Sequence, residues 1–162
     1  MSFDPNRYLN QSVAAVPKSG IRKFFDVAAT IPGAISLGVG EPDFVTPYHI
    51  RNAAINSILD GETQYTSNWG LLELRQEIAA YVDNRFHISY DPKNEILVTV
   101  GASEGIDLAL RALLNPGEEV LVPEPSYVSY APCVIFAGGC PVAVPTSEAN
   151  NFVLSPEALE RR

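Results

Sequence analysis

Between Ile96 and Val144, three short apolar runs alternate with two segments of helical spacing, and that alternation decides the fold class. The first run, 96–100, is Ile-Leu-Val-Thr-Val, mainly β-branched and bounded by turn signals, as expected for a strand covered on both faces. Gly101-Ala102-Ser103 follows as a turn of small residues. Ile106, Ala109, Leu110 and Leu113 then recur at i, i+3, i+4 and i+7, with Ser103 placed to cap their helix. Asn115-Pro116-Gly117 stops it. A second strand is expected at 119–122, a second helix at 127–137 closed by Gly138-Gly139, and a third strand at 141–144. Strand–helix–strand–helix–strand with connections this short makes a parallel sheet layered by helices, the α/β class.

The turn 101–103 is the first candidate site. A helix that starts at the carboxyl end of a parallel strand points free N–H groups and a positive dipole end at one spot, which suits a phosphate. A small turn that binds nothing has the same local sequence, so both readings stay open at this level.

Upstream, an arm leads to a helix carried by Ile21, Phe24, Phe25 and Ala28, which ends before Pro32. A short strand at 34–37 runs into Gly38-Val39-Gly40-Glu41-Pro42, where alternate glycines suit a backbone that something approaches closely; a plain turn is the alternative. Thr46 reads as a helix cap and Pro47 as the first helical residue, with Ile50, Ala53, Ala54 and Ile58 facing inward and Gly61 closing the helix. The polar and aromatic loop Tyr65-Thr66-Ser67-Asn68-Trp69-Gly70 precedes a helix over 71–86 whose inward residues are Leu71, Leu74, Ile78, Tyr81 and Val82. Asp91-Pro92 breaks the chain before the central strand. Ser155-Pro156 opens a further helix at the end, so the chain reads as interrupted there.

With 162 residues, 46% of them hydrophobic, the chain can build one medium domain with a real core. A formal net charge of −8 argues against a nucleic-acid or anionic-membrane partner, both of which need a basic face. No apolar run has the length of a membrane span and the first residues do not resemble a signal peptide, so a cytoplasmic location is expected. Cys133 and Cys140 have no histidine nearby and read as buried free thiols. His49 and His87 stand alone as surface or helix-end residues, and no metal is expected.

Five stretches in order carry a resemblance. They are Gly40-Glu41-Pro42-Asp43-Phe44; Tyr65-Thr66 with Gly70 and Leu74-Arg75; Val98-Thr99-Val100-Gly101-Ala102; Asn115-Pro116-Gly117-Glu118-Glu119-Val120; and Pro125-Ser126-Tyr127-Val128-Ser129-Tyr130. Together they resemble the class I and II aminotransferases, pyridoxal-phosphate enzymes of the fold-type-I superfamily that includes aspartate aminotransferase. The resemblance runs from about Ser19 to Arg162. It implies an incomplete parallel α/β/α sheet belonging to the fold-type-I large domain and preceded by an N-terminal arm. Residues 1–45 would be the arm and part of the small domain, and 46–162 the first half of the large cofactor-binding domain.

The resemblance also assigns roles. Gly101, Ala102 and Ser103 would hold the phosphate of pyridoxal 5'-phosphate through backbone N–H groups and the Ser103 hydroxyl. Tyr127 matches the aromatic residue that stacks on the pyridine ring; on its own pattern it reads as a core tyrosine. Tyr65 matches a tyrosine that reaches the phosphate in the neighbouring subunit, which implies a homodimer with a shared active site. Gly40 matches the glycine that lies against the substrate, and Trp69 is assigned packing alone. The implied reaction moves an amino group between an amino acid and a 2-oxo acid. A carbon–sulfur lyase of the same fold and a non-catalytic phosphate-binding remnant are the alternatives. The family's lysine, its acidic partner for the pyridine nitrogen and its substrate-gripping arginine are expected beyond Arg162. Lys18, Lys23 and Lys93 do not lie in that lysine's context, so the 162-residue chain alone is expected to be inactive and poorly soluble.

Overall fold

A computed structural model describes residues 4–33, 35, 38, 40 and 42–162. The chain divides into two compact units, one formed by residues 4–22 with 100–162 and the other by 23–99. The strand expected at 34–37 lies largely outside the described residues, as do Val39 and Glu41 of the glycine bend.

In the first unit, a 3-10 turn at Pro5–Tyr8 precedes helix α1 (Gln11–Ala15), where the Asn10 side chain accepts the N–H groups of Ser12 and Val13. Helix α5 (Gly101–Leu113) leads through the Asn115-Pro116-Gly117 stop to strand β1 (Glu119–Glu124). Helix α6 (Tyr130–Phe136) carries the chain to strand β2 (Cys140–Pro145), and α7 (Pro156–Glu160) follows. The strands are parallel, in register from Glu119 opposite Cys140 to Glu124 opposite Pro145. Val122 pairs with Ala143 and Val144 with Pro123, so the two valines point to opposite faces of the sheet. Both are buried, with Val134 of α6, and the sheet is therefore covered on both sides as parallel strands require. Each such valine contributes on the order of 1.5–2 kcal/mol through burial.

Sequence and structure part company at α6, expected from Tyr127 but formed only from Tyr130. Pro132 is the reason. A proline is tolerated in the first turn, whereas in a helix begun at 127 it would lack an interior hydrogen bond and clash with the preceding turn. At the far end, Gly138 (φ +88°) donates to the Ile135 carbonyl and Gly139 to that of Val134, the paired bonds of a Schellman motif. A side chain on Gly139 would lie 3.0 Å from the Glu118 carbonyl oxygen. The Ser155 cap of α7 forms as expected, its hydroxyl accepting the Ala158 N–H.

The second unit holds helices α2 (Ile21–Ala29, which begins at the unit's edge), α3 (Tyr48–Leu59) and α4 (Leu72–Phe86). Pro47 is the cap residue of α3, not its first helical residue, and Thr46 lies one position further out. Gly61 closes α3 as expected. His87 ends α4 in the left-handed conformation, which agrees with a helix-end histidine. The inward stripe expected on α3 is not buried. Ile50, Ala53, Ala54 and Ile58 are all exposed, while Asn52 and Ser57 are half-buried. An apolar stripe names a face without supplying the surface that would cover it. On α4, Ile78 and Val82 are half-buried, but Leu71, Leu74 and Tyr81 are exposed.

Residues 96–99 do not form the expected strand: the Val98 N–H donates to the Trp69 carbonyl at 3.1 Å, but among the described residues the stretch joins no ladder with a neighbouring strand. Ile96 is buried, whereas Leu97 and Val100 are exposed. Cys133 is half-buried and Cys140, the first residue of β2, is exposed, so neither is the fully buried thiol expected.

Candidate functional site

The first turn of α5 is built from the smallest residues in the stretch. Gly101 sits at φ +75° and opens the helix, with Val100 in the cap position. Ser103 is therefore the third helical residue and not the cap. The cap is closed from below, since the Glu104 carboxylate accepts the Val100 N–H. A helix offers no internal acceptor to its first N–H groups. Those of Ala102 and Ser103 thus remain for an outside acceptor on an exposed surface, and a side chain at Gly101 would meet nothing within 4 Å. The turn has no basic side chain. Any anion here is held by N–H groups, the Ser103 hydroxyl and the helix dipole, and Glu104 already supplies one negative charge. Open space, unengaged donors and a hydroxyl fit a phosphate monoester.

Tyr127 stands in the loop between β1 and α6, 55% exposed. It borders a recess of about 600 Å³ lined by Val122, Glu124, Pro125, Ser126, Val128 and Ala131. The Glu124–Pro125 peptide bond in this loop is cis. Tyr127 is not the core tyrosine its own pattern allowed, and its exposed ring can offer a face to a planar group. The Tyr130 ring meets it edge to face, with centroids 5.8 Å apart and planes at 73°. Sequence reasoning quoted Tyr130 but gave it no role; its spacing of three from Tyr127 was the available signal.

In the second unit Tyr65 is fully exposed beside a recess of about 630 Å³ that Ser57, Thr66, Leu71 and two carboxylates, Glu62 and Glu73, also line. The loop bearing it is locked at its far end. Gly70, at φ +89°, lies so close to Val98 that an added side chain would meet the Val98 Cβ at 2.7 Å. Trp69 in this loop bonds through its N–H to the Ser67 hydroxyl. Gly40 is exposed, with a neighbour on each side outside the described residues.

Arg75 belongs to one of the five motifs, but its role is visible only in the structure. It is 6% exposed, and its Nη1 donates to the carbonyls of Pro92 (2.6 Å) and Lys93 (3.1 Å), tying α4 to the turn before Ile96. The signal was its spacing, because Leu71, Arg75 and Ile78 share one face of α4. Asp91 in the same turn accepts the Lys93 N–H and the Asn94 side-chain amide, and these bonds hold its carboxyl below the usual range.

A turn of small residues opened by a left-handed glycine, an exposed tyrosine past the end of a parallel strand and the five ordered motifs converge with the sequence pattern of the family "Aminotransferase class I and II", which matches residues 32–162. The chain belongs to this family. Among individual relatives it is 56% identical over 145 residues to YugH of Bacillus subtilis, an aminotransferase by name, covering 90% of this chain and 38% of that one. It is 48% identical to aromatic-amino-acid aminotransferase 2 of Thermococcus litoralis, with 94% of this chain and 39% of that one covered. The crystal structure of aspartate aminotransferase from Thermotoga maritima superposes with a TM-score of 0.86 at 34% identity, covering 94% of this chain and 42% of the other. The chain thus spans about two fifths of the length of the relatives it matches. Among the described residues no helix is long and apolar enough to cross a membrane.

Proposed function

We propose that this chain is the N-terminal part of a pyridoxal-phosphate aminotransferase that moves an amino group between an amino acid and a 2-oxo acid. The observation that carries the reading is the first turn of α5: small, exposed, opened by a left-handed glycine and presenting the Ala102 and Ser103 N–H groups, which have no acceptor within the helix, in a chain of this family. Ala102 and Ser103 hold the phosphate by their N–H groups and the Ser103 hydroxyl, and Gly101 keeps side-chain bulk out of the way. Tyr127 lies against one face of the pyridine ring and fixes its plane. Bound there, the cofactor acts as an electron sink for bonds at the amino-acid α-carbon. Gly40 leaves room for substrate, and Tyr65 reaches the phosphate in a second subunit of a homodimer. Residues 1–45 serve as arm and part of the small domain and 46–162 as the first half of the large one, in a cytoplasmic enzyme.

Two relatives of comparable fit bear aromatic and aspartate names, so the substrate side chain is left general. The test is product analysis on the gene product that carries residues 1–162, supplied with cofactor, amino acids and a 2-oxo acid. A new amino acid appearing in step with a keto acid is the expected result. Keto acid with free ammonia would instead identify a lyase. Cofactor binding unchanged by Ser103→Ala combined with Gly101→Val would remove the phosphate assignment.

A further inference from the structure

Tyr127 lies outside any helix, in a loop, and more than half of its surface is open. A side chain so placed samples several rotamers unless something restrains it, and a stacking platform that samples them loses much of its value. The structure supplies two restraints, and both come from one residue. The Tyr130 N–H donates to the Tyr127 carbonyl at 3.2 Å, fixing the loop where it enters α6. The Tyr130 ring then meets the Tyr127 ring edge to face at 5.8 Å and 73°, within the range such pairs prefer. As the first residue of α6, a helix anchored by the buried Val134, Tyr130 is itself held by regular structure.

We propose that Tyr130 is a positioning residue: it sets the plane of the Tyr127 ring before a planar ligand arrives, so that the recess at the end of β1 is pre-organised for stacking. The inference rests on the assignment of Tyr127 as the stacking residue and extends it to a residue that touches no ligand. The backbone bond does not depend on the side chain in Tyr130→Phe or Tyr130→Leu, so these variants isolate the ring contact.

The experiment uses the gene product carrying residues 1–162 and compares wild type with Tyr130→Phe, Tyr130→Leu and Tyr127→Leu. Ring motion of Tyr127 is followed by NMR of ring-labelled tyrosine without cofactor. Pyridoxal phosphate affinity and the induced circular dichroism of its absorption band are then measured. Tyr130→Leu is expected to mobilise the Tyr127 ring, weaken binding about two- to tenfold, the size of an aromatic pair's contribution, and reduce the induced signal. Tyr130→Phe, which keeps the ring, restores all three. An unchanged Tyr127 ring in Tyr130→Leu overturns the proposal. So does wild-type affinity in Tyr130→Leu when Tyr127→Leu is weakened. Wild-type affinity in Tyr127→Leu overturns the stacking assignment itself, and the positioning role falls with it.

Discussion

Replacing Gly70 by alanine tests whether the close approach to Val98 locks the loop that bears Tyr65. Two penalties act at Gly70, and only one of them acts at Gly61. Both glycines are left-handed, at φ +89° and +82°, which costs an alanine about 1–2 kcal/mol, partly offset by the 0.4–1 kcal/mol gained from a stiffer unfolded chain. At Gly61 that is the whole effect, because nothing lies within 4 Å of the added carbon. At Gly70 the carbon would stand 2.7 Å from the Val98 Cβ and 2.8 Å from its Cγ2, an overlap that adds about 1–3 kcal/mol of overpacking. The difference between the two variants thus measures the contact itself. Trp69, the single tryptophan, adjoins Gly70 and reports unfolding in urea at chain concentrations low enough to keep intermolecular contact rare. With a slope near 1 kcal/mol per molar for a unit of this size, the Gly70→Ala midpoint is expected about 1 M or more below that of Gly61→Ala. Equal midpoints would refute the reasoning, since the conformational penalty alone would then account for both.

Arg75→Met removes both bonds to the turn at Pro92 and Lys93, leaving two carbonyls short of a donor; a loss of about 2–4 kcal/mol in chemical unfolding is expected. Arg75→Lys recovers only part, because the lysine ammonium ends one bond short of the Nη1 position that serves both carbonyls. The Glu118 carboxyl is held below its usual range first by the Asn115 N–H and then by the Asn115 side-chain amide, so its stabilising contribution is present above the ordinary glutamate value of about 4.3 and fades as pH falls through the lower folded value. Glu118→Gln should flatten that acid limb of a stability-versus-pH curve; an unchanged limb assigns it to other carboxylates. The 162-residue chain exposes Phe24, Ile58, Leu59, Tyr65 and Val100, so by sedimentation it is expected to self-associate. A monodisperse, cooperatively unfolding preparation would contradict this.

What the sequence disclosed was mostly local. The Ser155 cap, the Gly61 and Gly138-Gly139 ends and the Asn115-Pro116-Gly117 stop each follow from a few adjacent residues, and the parallel pair β1–β2 from the alternation of strand and helix patterns. Pairing of 96–100 was not legible, because a ladder needs a distant neighbour. Burial of the α3 stripe was not legible either, because a stripe names a face without naming what covers it. Tyr127 was read into a helix because the glycines at 138–139 mark only its end, whereas its start is set by where Pro132 falls in the first turn. At the candidate site, the small turn Gly101 to Ser103 was legible from residue size while its role came from the resemblance, whereas the Glu104 bond to Val100 and the ring contact of Tyr130 are geometric facts that spacing only permitted.

The turns at the amino ends of β1 and β2 are tied reciprocally: the Gly117 N–H donates to the Gly138 carbonyl and the Cys140 N–H to the Glu118 carbonyl, each at 2.8 Å. Neither turn can therefore change length independently of the other. One residue inserted in either would shift the strand pairing by a step and turn Val122 or Val144 away from its side of the sheet. Past Thr146, whose N–H and hydroxyl both donate to the Glu124 carbonyl, the segment leading to α7 has no such reciprocal tie to another turn among the described residues. Sequence length is thus free to drift after Thr146 and fixed at 115–118 and 138–140. A fold built this way keeps one rim of its sheet constant while the opposite rim, which carries Tyr127, remains open to change.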